Sequence, residues 1–124
     1  MKSKQPTKAK NFSNKLRQLR QDRRWSQGEL GKKIGADLQR VSKYERGVVF
    51  PTTDIIVKIA DAFQVSTDYL LRDEVELTAD DIQNLDLRRS IKEINKLPTE
   101  DQNILVNLLD AYIKRKQFED LIAK

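Results

Sequence analysis

Apolar residues recur at helical spacing along most of the chain, and polar caps and glycines cut that pattern into short elements. Leu16 and Leu19 supply the inner face of a first helix running from near Ser13 to about Arg24, with Lys15, Arg17, Arg20, Arg23 and Arg24 crowding the rest. Ser26 caps a second helix, since its hydroxyl accepts from the unpaired N–H groups that open a helix, and Glu29 completes a capping box. Trp25 and Leu30 stand at the positions of a hydrophobic staple. Leu30 and Ile34 share one face, after which Gly35 stops the helix by taking a left-handed conformation. Asp37 caps a third helix, in which Val41 and Tyr44 face inward while Leu38, Gln39, Arg40, Ser42 and Lys43 point out. Gly47 ends it.

The stretch VVFPTTD then forms a loop, with Phe50 as a core anchor and Pro51 breaking any helix before Thr52. Ile55, Ile56, Ile59, Ala60 and Phe63 make a fourth helix, and Ser66 caps a short fifth, STDYLL. An acidic connection, RDEVEL, leads to a capping box of Thr78 and Asp81 that predicts a further helix, striped by Ile82, Leu85, Ile91 and Ile94. Pro98 breaks it, and a box of Thr99 and Gln102 opens the last helix. That helix bears a wide apolar face of Ile104, Leu105, Leu108, Leu109, Tyr112 and Ile113, extended by Phe118, Leu121 and Ile122. The pattern is therefore all-α. It divides into a basic disordered arm over residues 1–12, a five-helix domain over 13–72 and a C-terminal two-helix segment over 78–124.

Charge sharpens that division. Residues 1–71 hold 15 Lys and Arg against 7 Asp and Glu, whereas residues 72–124 hold 9 against 12, so only the first part attracts a phosphate backbone. The chain has no cysteine and no histidine, which removes thiolate nucleophiles, soft metal sites and the usual neutral-pH base. No cofactor or metal is expected, and an enzyme is the least favoured class. Asp80 and Asp81 form an adjacent acidic pair, but a first helical turn favours negative charge without any catalytic role. No apolar run approaches the ~20 residues that span a bilayer, and the N-terminus lacks the apolar core of a secretion signal. A cytoplasmic protein without membrane contact is expected.

The outward face of the third helix carries chemistry suited to the major groove of DNA, where each base pair shows its own pattern of donors, acceptors and methyl groups. Gln39 can bond adenine N6 and N7, Arg40 and Lys43 can donate to guanine, and Leu38 can meet a thymine methyl. Arg40 can equally reach a phosphate. Gln27, Leu30, Gly35, Val41, Ser42, Glu45 and Gly47, followed by Pro51, resemble the phage-repressor-like (Xre/Cro-type) helix-turn-helix domain over roughly residues 14–71. The resemblance implies a repressor-like five-helix fold with base contacts at Leu38, Gln39 and Lys43, helped by Ser42. It also implies phosphate contacts from Gln27 and Arg46 and a structural ion pair between Arg20 and Glu45. Leu38 departs from the family pattern, in which a polar residue is common, so its side chain either touches a methyl group or folds back on the protein.

These readings together predict a sequence-specific regulator of double-stranded DNA, a homodimeric repressor that reads a near-palindromic operator. Dimerisation is assigned to Ile91, Ile94, Leu105, Leu108, Leu109 and Tyr112, because two helices alone cannot bury so broad a stripe. The same helices could hold another protein partner. Two alternatives stay open: an antitoxin that autoregulates through the same domain, and an adaptor whose helix-turn-helix binds protein.

Overall fold

Phe12, Leu16 and Leu19 wind along one side of α1 (Lys8–Asp22) into the core, and this third apolar position carries the helix back beyond its expected start at Ser13. The computed structural model describes residues 8–74 and 76–123, so most of the predicted basic arm lies outside the described residues, and its last five residues are helical. α2 (Gln27–Ile34), α3 (Leu38–Arg46), α4 (Thr53–Phe63) and α5 (Thr67–Leu71) close around α1, burying Leu30, Ile34, Val41, Tyr44, Ile59, Phe63 and Leu70. Full burial of such side chains is worth about 1.5–3 kcal/mol each. Local chemistry sets the boundaries. Ser26 and Glu29 bond reciprocally at the start of α2, Asp37 accepts from Arg40 N at the start of α3, and Ser66 accepts from Tyr69 N at the start of α5. Gly35 sits at φ +73°, a conformation that a Cβ would strain, and this lets α3 follow α2 almost at once.

Two expectations change here. Phe50 is 43% exposed and lays its ring against Phe12 at 5.1 Å, so it lids the core instead of anchoring within it. Lys15, predicted on the polar side of α1, is buried: its Nζ donates to the carbonyls of Tyr69 and Arg72, both at 2.6 Å, and lies over the Tyr69 ring. Burial, with Arg72 nearby, lowers its pKa from the ordinary lysine value. Arg17 likewise donates to the Glu45 carbonyl at 3.0 Å, and Arg23 to the Phe63 carbonyl at 2.8 Å. Lys15 and Arg17 of α1, and Arg23 just past its end, thus bond the C-terminal ends of α5, α3 and α4, where carbonyls lack helical partners and the helix dipole favours positive charge.

The box of Thr78 and Asp81 does not start a long helix. It closes a single 3-10 turn, Ala79–Asp81, because the Asp81 carboxylate is drawn into the first domain. Asp81, 2% exposed, accepts from both Nη atoms of Arg72 at 3.1 and 2.9 Å, from Ser66 Oγ at 2.8 Å and from Thr78 N at 2.9 Å. Gln83 adds bonds to the carbonyls of Ala60 and Val65, and Val65 pairs with Ile82 in an isolated antiparallel bridge. The first compact unit therefore runs to Leu85, not to residue 72.

The second unit, from residue 86 on, holds two helices, α6 (Leu85–Ile94), whose first residue closes the first unit, and α7 (Thr99–Ala123). Gln102 does not complete the predicted box with Thr99. Its amide nitrogen turns to the end of α6 and lies within 3.2 Å of the carbonyls of Ile94, Asn95 and Leu97.

Candidate nucleic-acid interface

α3 is two-sided. Val41, Tyr44 and Glu45 are buried, and the other side of the same helix carries Leu38, Gln39, Arg40, Lys43 and Arg46 in the open. Ser42 is half-buried at the edge of this row, and its hydroxyl accepts from Arg46 Nε at 3.2 Å. Leu38 stays 55% exposed, its Cδ1 standing 3.7 Å from where a Cβ on Gly28 of α2 would lie.

Glu45 fixes how this row is held. Arg20 Nε and Nη2 donate to its two carboxylate oxygens at 2.6 and 3.0 Å, a bidentate fork, and Arg20 Nη1 also donates to the Trp25 carbonyl at 2.9 Å. The bond to Glu45 raises the arginine pKa above its ordinary value. Gln27, the first residue of α2, donates its amide N–H to Glu45 Oε1 at 3.2 Å. One buried carboxylate therefore ties α1, α2 and α3 together, and α3 cannot rotate without breaking charge-assisted bonds. Trp25 stacks on Phe63 with ring centroids 5.0 Å apart, and the Lys33 ammonium stands 4.5 Å from the centroid of the Trp25 ring.

Comparison with known proteins places this geometry. A family model described as Helix-turn-helix matches residues 16–70. The cryptic phage CTXphi transcriptional repressor RstR of Vibrio cholerae serotype O1 (strain ATCC 39315 / El Tor Inaba N16961) is 32% identical over 97 residues, covering 78% of this chain and 82% of that protein. The chain belongs to the Xre-type helix-turn-helix family of transcriptional regulators. Another Xre-type relative, the HTH-type transcriptional regulator ImmR of Bacillus subtilis (strain 168), is 33% identical over 98 residues, 77% of this chain and 75% of its own length. Among solved structures, that of the hypothetical transcription factor NHTF from Neisseria superposes with a TM-score of 0.50 at 28% identity, covering 58% of this chain and 86% of that one.

Within this Xre-type domain the sequence pattern pointed to the outward row of α3 and the family resemblance to the Arg20 and Glu45 pair, but neither marked Arg17, Lys15 or Asp81 as fixtures. Arg17 had a usable signal, since it lies one turn before Arg20 and so shares its side of α1. Lys15 had none, and for Asp81 the local box with Thr78 gave no sign of the bonds to Ser66 and Arg72, which come from farther along the chain. Of the residues assigned to dimerisation, Ile94 and Leu105 are half-buried, whereas Ile91, Leu108, Leu109 and Tyr112 are exposed.

Proposed function

We propose that the protein is a homodimeric transcriptional repressor that inserts the outer row of α3 into the major groove of a near-palindromic operator. The observation that carries this reading is the division of α3 between a side locked by Glu45 and a side of uncommitted donors and methyl groups. Gln39, Arg40, Lys43 and Leu38 discriminate bases, with Ser42 orienting Arg46 through their mutual bond. Arg46 holds a phosphate at the C-terminal end of α3. An amide NH2 has two hydrogens, so the bond from Gln27 to Glu45 leaves one for a phosphate beside the N-terminus of α2. Phosphate contacts set register and base contacts set sequence.

One such module covers few base pairs, so specific affinity calls for a second copy. The C-terminal helices supply it: from Asn103 to Lys114, the polar residues Asn103, Asn107, Asp110 and Lys114 form one narrow stripe of α7, and the remaining circumference is apolar. One neighbouring helix, α6, cannot cover that arc. Among the described residues no helix is long and apolar enough to cross a membrane, and the repressor is assigned to the cytoplasm. Its RstR relative, named as a repressor, supports the sign of regulation.

Selection of bound duplexes from a random pool tests the reading. The expected product is an inverted repeat with half-sites about 34–36 Å apart, bound with a steep loss of affinity as salt rises. Recovery of unrelated sequences, with binding indifferent to salt, would overturn it.

A further inference from the structure

The apolar arc of α7 resolves into two stripes. Gln102, bonded to the end of α6, marks the side of α7 that faces its own hairpin, and half-buried Leu105 shares that side three residues on. A different stripe, Ile104, Leu108, Ala111, Arg115, Phe118 and Ile122, recurs at alternating steps of four and three, the spacing of a coiled-coil seam. At about 100° per residue it lies roughly 130° around the helix from the hairpin side. Ile104, Leu108, Phe118 and Ile122 are each more than half exposed. The seam spans the last three-quarters of α7, and α6, with ten residues against the 25 of α7, is too short to fill it along that length.

We infer that this seam is filled by α7 of a second copy running antiparallel, with Ile104 against Ile122, Leu108 against Phe118 and Ala111 against Arg115 across a twofold axis near Ile113. The composition of the seam selects that direction. In a parallel, in-register pair Arg115 would face Arg115 and Ala111 would face Ala111, placing like charges and a gap in successive layers. Reversing one helix sets the longest side chain of the seam opposite the smallest, and the Arg stem fills the space that Ala leaves. The guanidinium brings its own counter-charge, since Glu119 Oε2 lies 3.7 Å from Arg115 Nε and the Tyr112 ring lies beneath it at 5.0 Å. The same antiparallel operation satisfies the twofold symmetry of the repressor, so this inference rests on the homodimer proposed above and specifies its interface.

The absence of cysteine from the chain makes the test clean. Full-length Ile104→Cys and Ile122→Cys variants, both at exposed positions, are mixed under mild oxidation and compared with each variant alone. A disulfide needs Cβ atoms about 3.5–4.5 Å apart, whereas in the antiparallel pair the Ile104 positions of the two copies stand roughly 27 Å apart at 1.5 Å of rise per residue. The mixed disulfide should therefore exceed either self-disulfide at least tenfold. Dominant self-disulfides would overturn the antiparallel direction. Sedimentation of the unmodified chain separates the two readings: a dimer without mixed disulfide refutes this seam alone, whereas a monomer at operator-binding concentrations refutes the homodimer with it.

Discussion

At the scale of single residues, Glu45 carries the interface without touching DNA. It is 3% exposed and receives Arg20 through two bonds and Gln27 through a third, so removing its carboxylate strands a guanidinium that has little other solvation. Glu45→Ala should cost about 3 kcal/mol of stability, read as a lowered urea midpoint at unchanged slope. Gln39 behaves differently, because its side chain lies exposed on the outer side of α3. Gln39→Ala should leave the melting curve in place, relax preference at one or two base pairs and cost about 1–3 kcal/mol at the preferred site, measured by titrating single-base operator variants. Arg46→Ala should weaken all duplexes evenly and reduce the salt slope by about one, since a phosphate contact carries no base information.

At the scale of elements, the tight corner between α2 and α3 depends on a glycine other than the one that ends the helix. A Cβ on Gly31 would collide with the carbonyl oxygen of Ala36, a backbone atom fixed by the turn, whereas a Cβ on Gly28 would meet Leu38 Cδ1 at an ordinary 3.7 Å. Gly31→Ala should therefore destabilise by about 1–3 kcal/mol, the ordinary range for overpacking. Gly28→Ala should be neutral or stabilising by up to about 1 kcal/mol through helix propensity. Paired thermal melts of the two variants check the contrast. The helix starts at Ser26, Asp37 and Ser66 were legible in the sequence because a cap bonds within three residues of itself, and the α3 face was legible because Val41 and Tyr44 betray its inner side. Phe12 escaped notice because a lone aromatic after four lysines carries no periodicity until Leu16 and Leu19 are known to share its side. Asp81 was read as an ordinary first-turn acid, and only its approach to Arg72 and Ser66, across the chain, makes it a core group.

At the scale of the molecule, the strap over residues 78–85 belongs to the DNA-binding unit, so a chain ended at Arg72 would discard part of that unit along with the tail. The division between domain and tail is better placed after Leu85. The strap also adds a pH dependence. Burial raises the Asp81 carboxyl, but the bonds from Arg72, Thr78 and Ser66 outweigh it and hold the group below the usual carboxylate range. Its folded pKa lies below the unfolded one, so the unfolded chain binds the extra proton. The contribution of Asp81 is full above the unfolded value near ~4 and fades as pH falls toward the folded value. Asp81→Asn should lower stability by about 2 kcal/mol at neutral pH, and the gap between the two proteins should narrow only in melts taken below about pH 4.

The three cations that α1 and the turn after it send to the ends of α3, α4 and α5, Lys15, Arg17 and Arg23, have a consequence for motion. A reading helix held only by its own hydrogen bonds could fray from its last turn while the remainder stayed folded. Here the terminal carbonyls of three helices are bolted to α1 and the turn that follows it, so loosening any of them means pulling a charged donor out of its socket. The last turn of α3 is thus held against fraying, so the shape of the reading helix is set before contact.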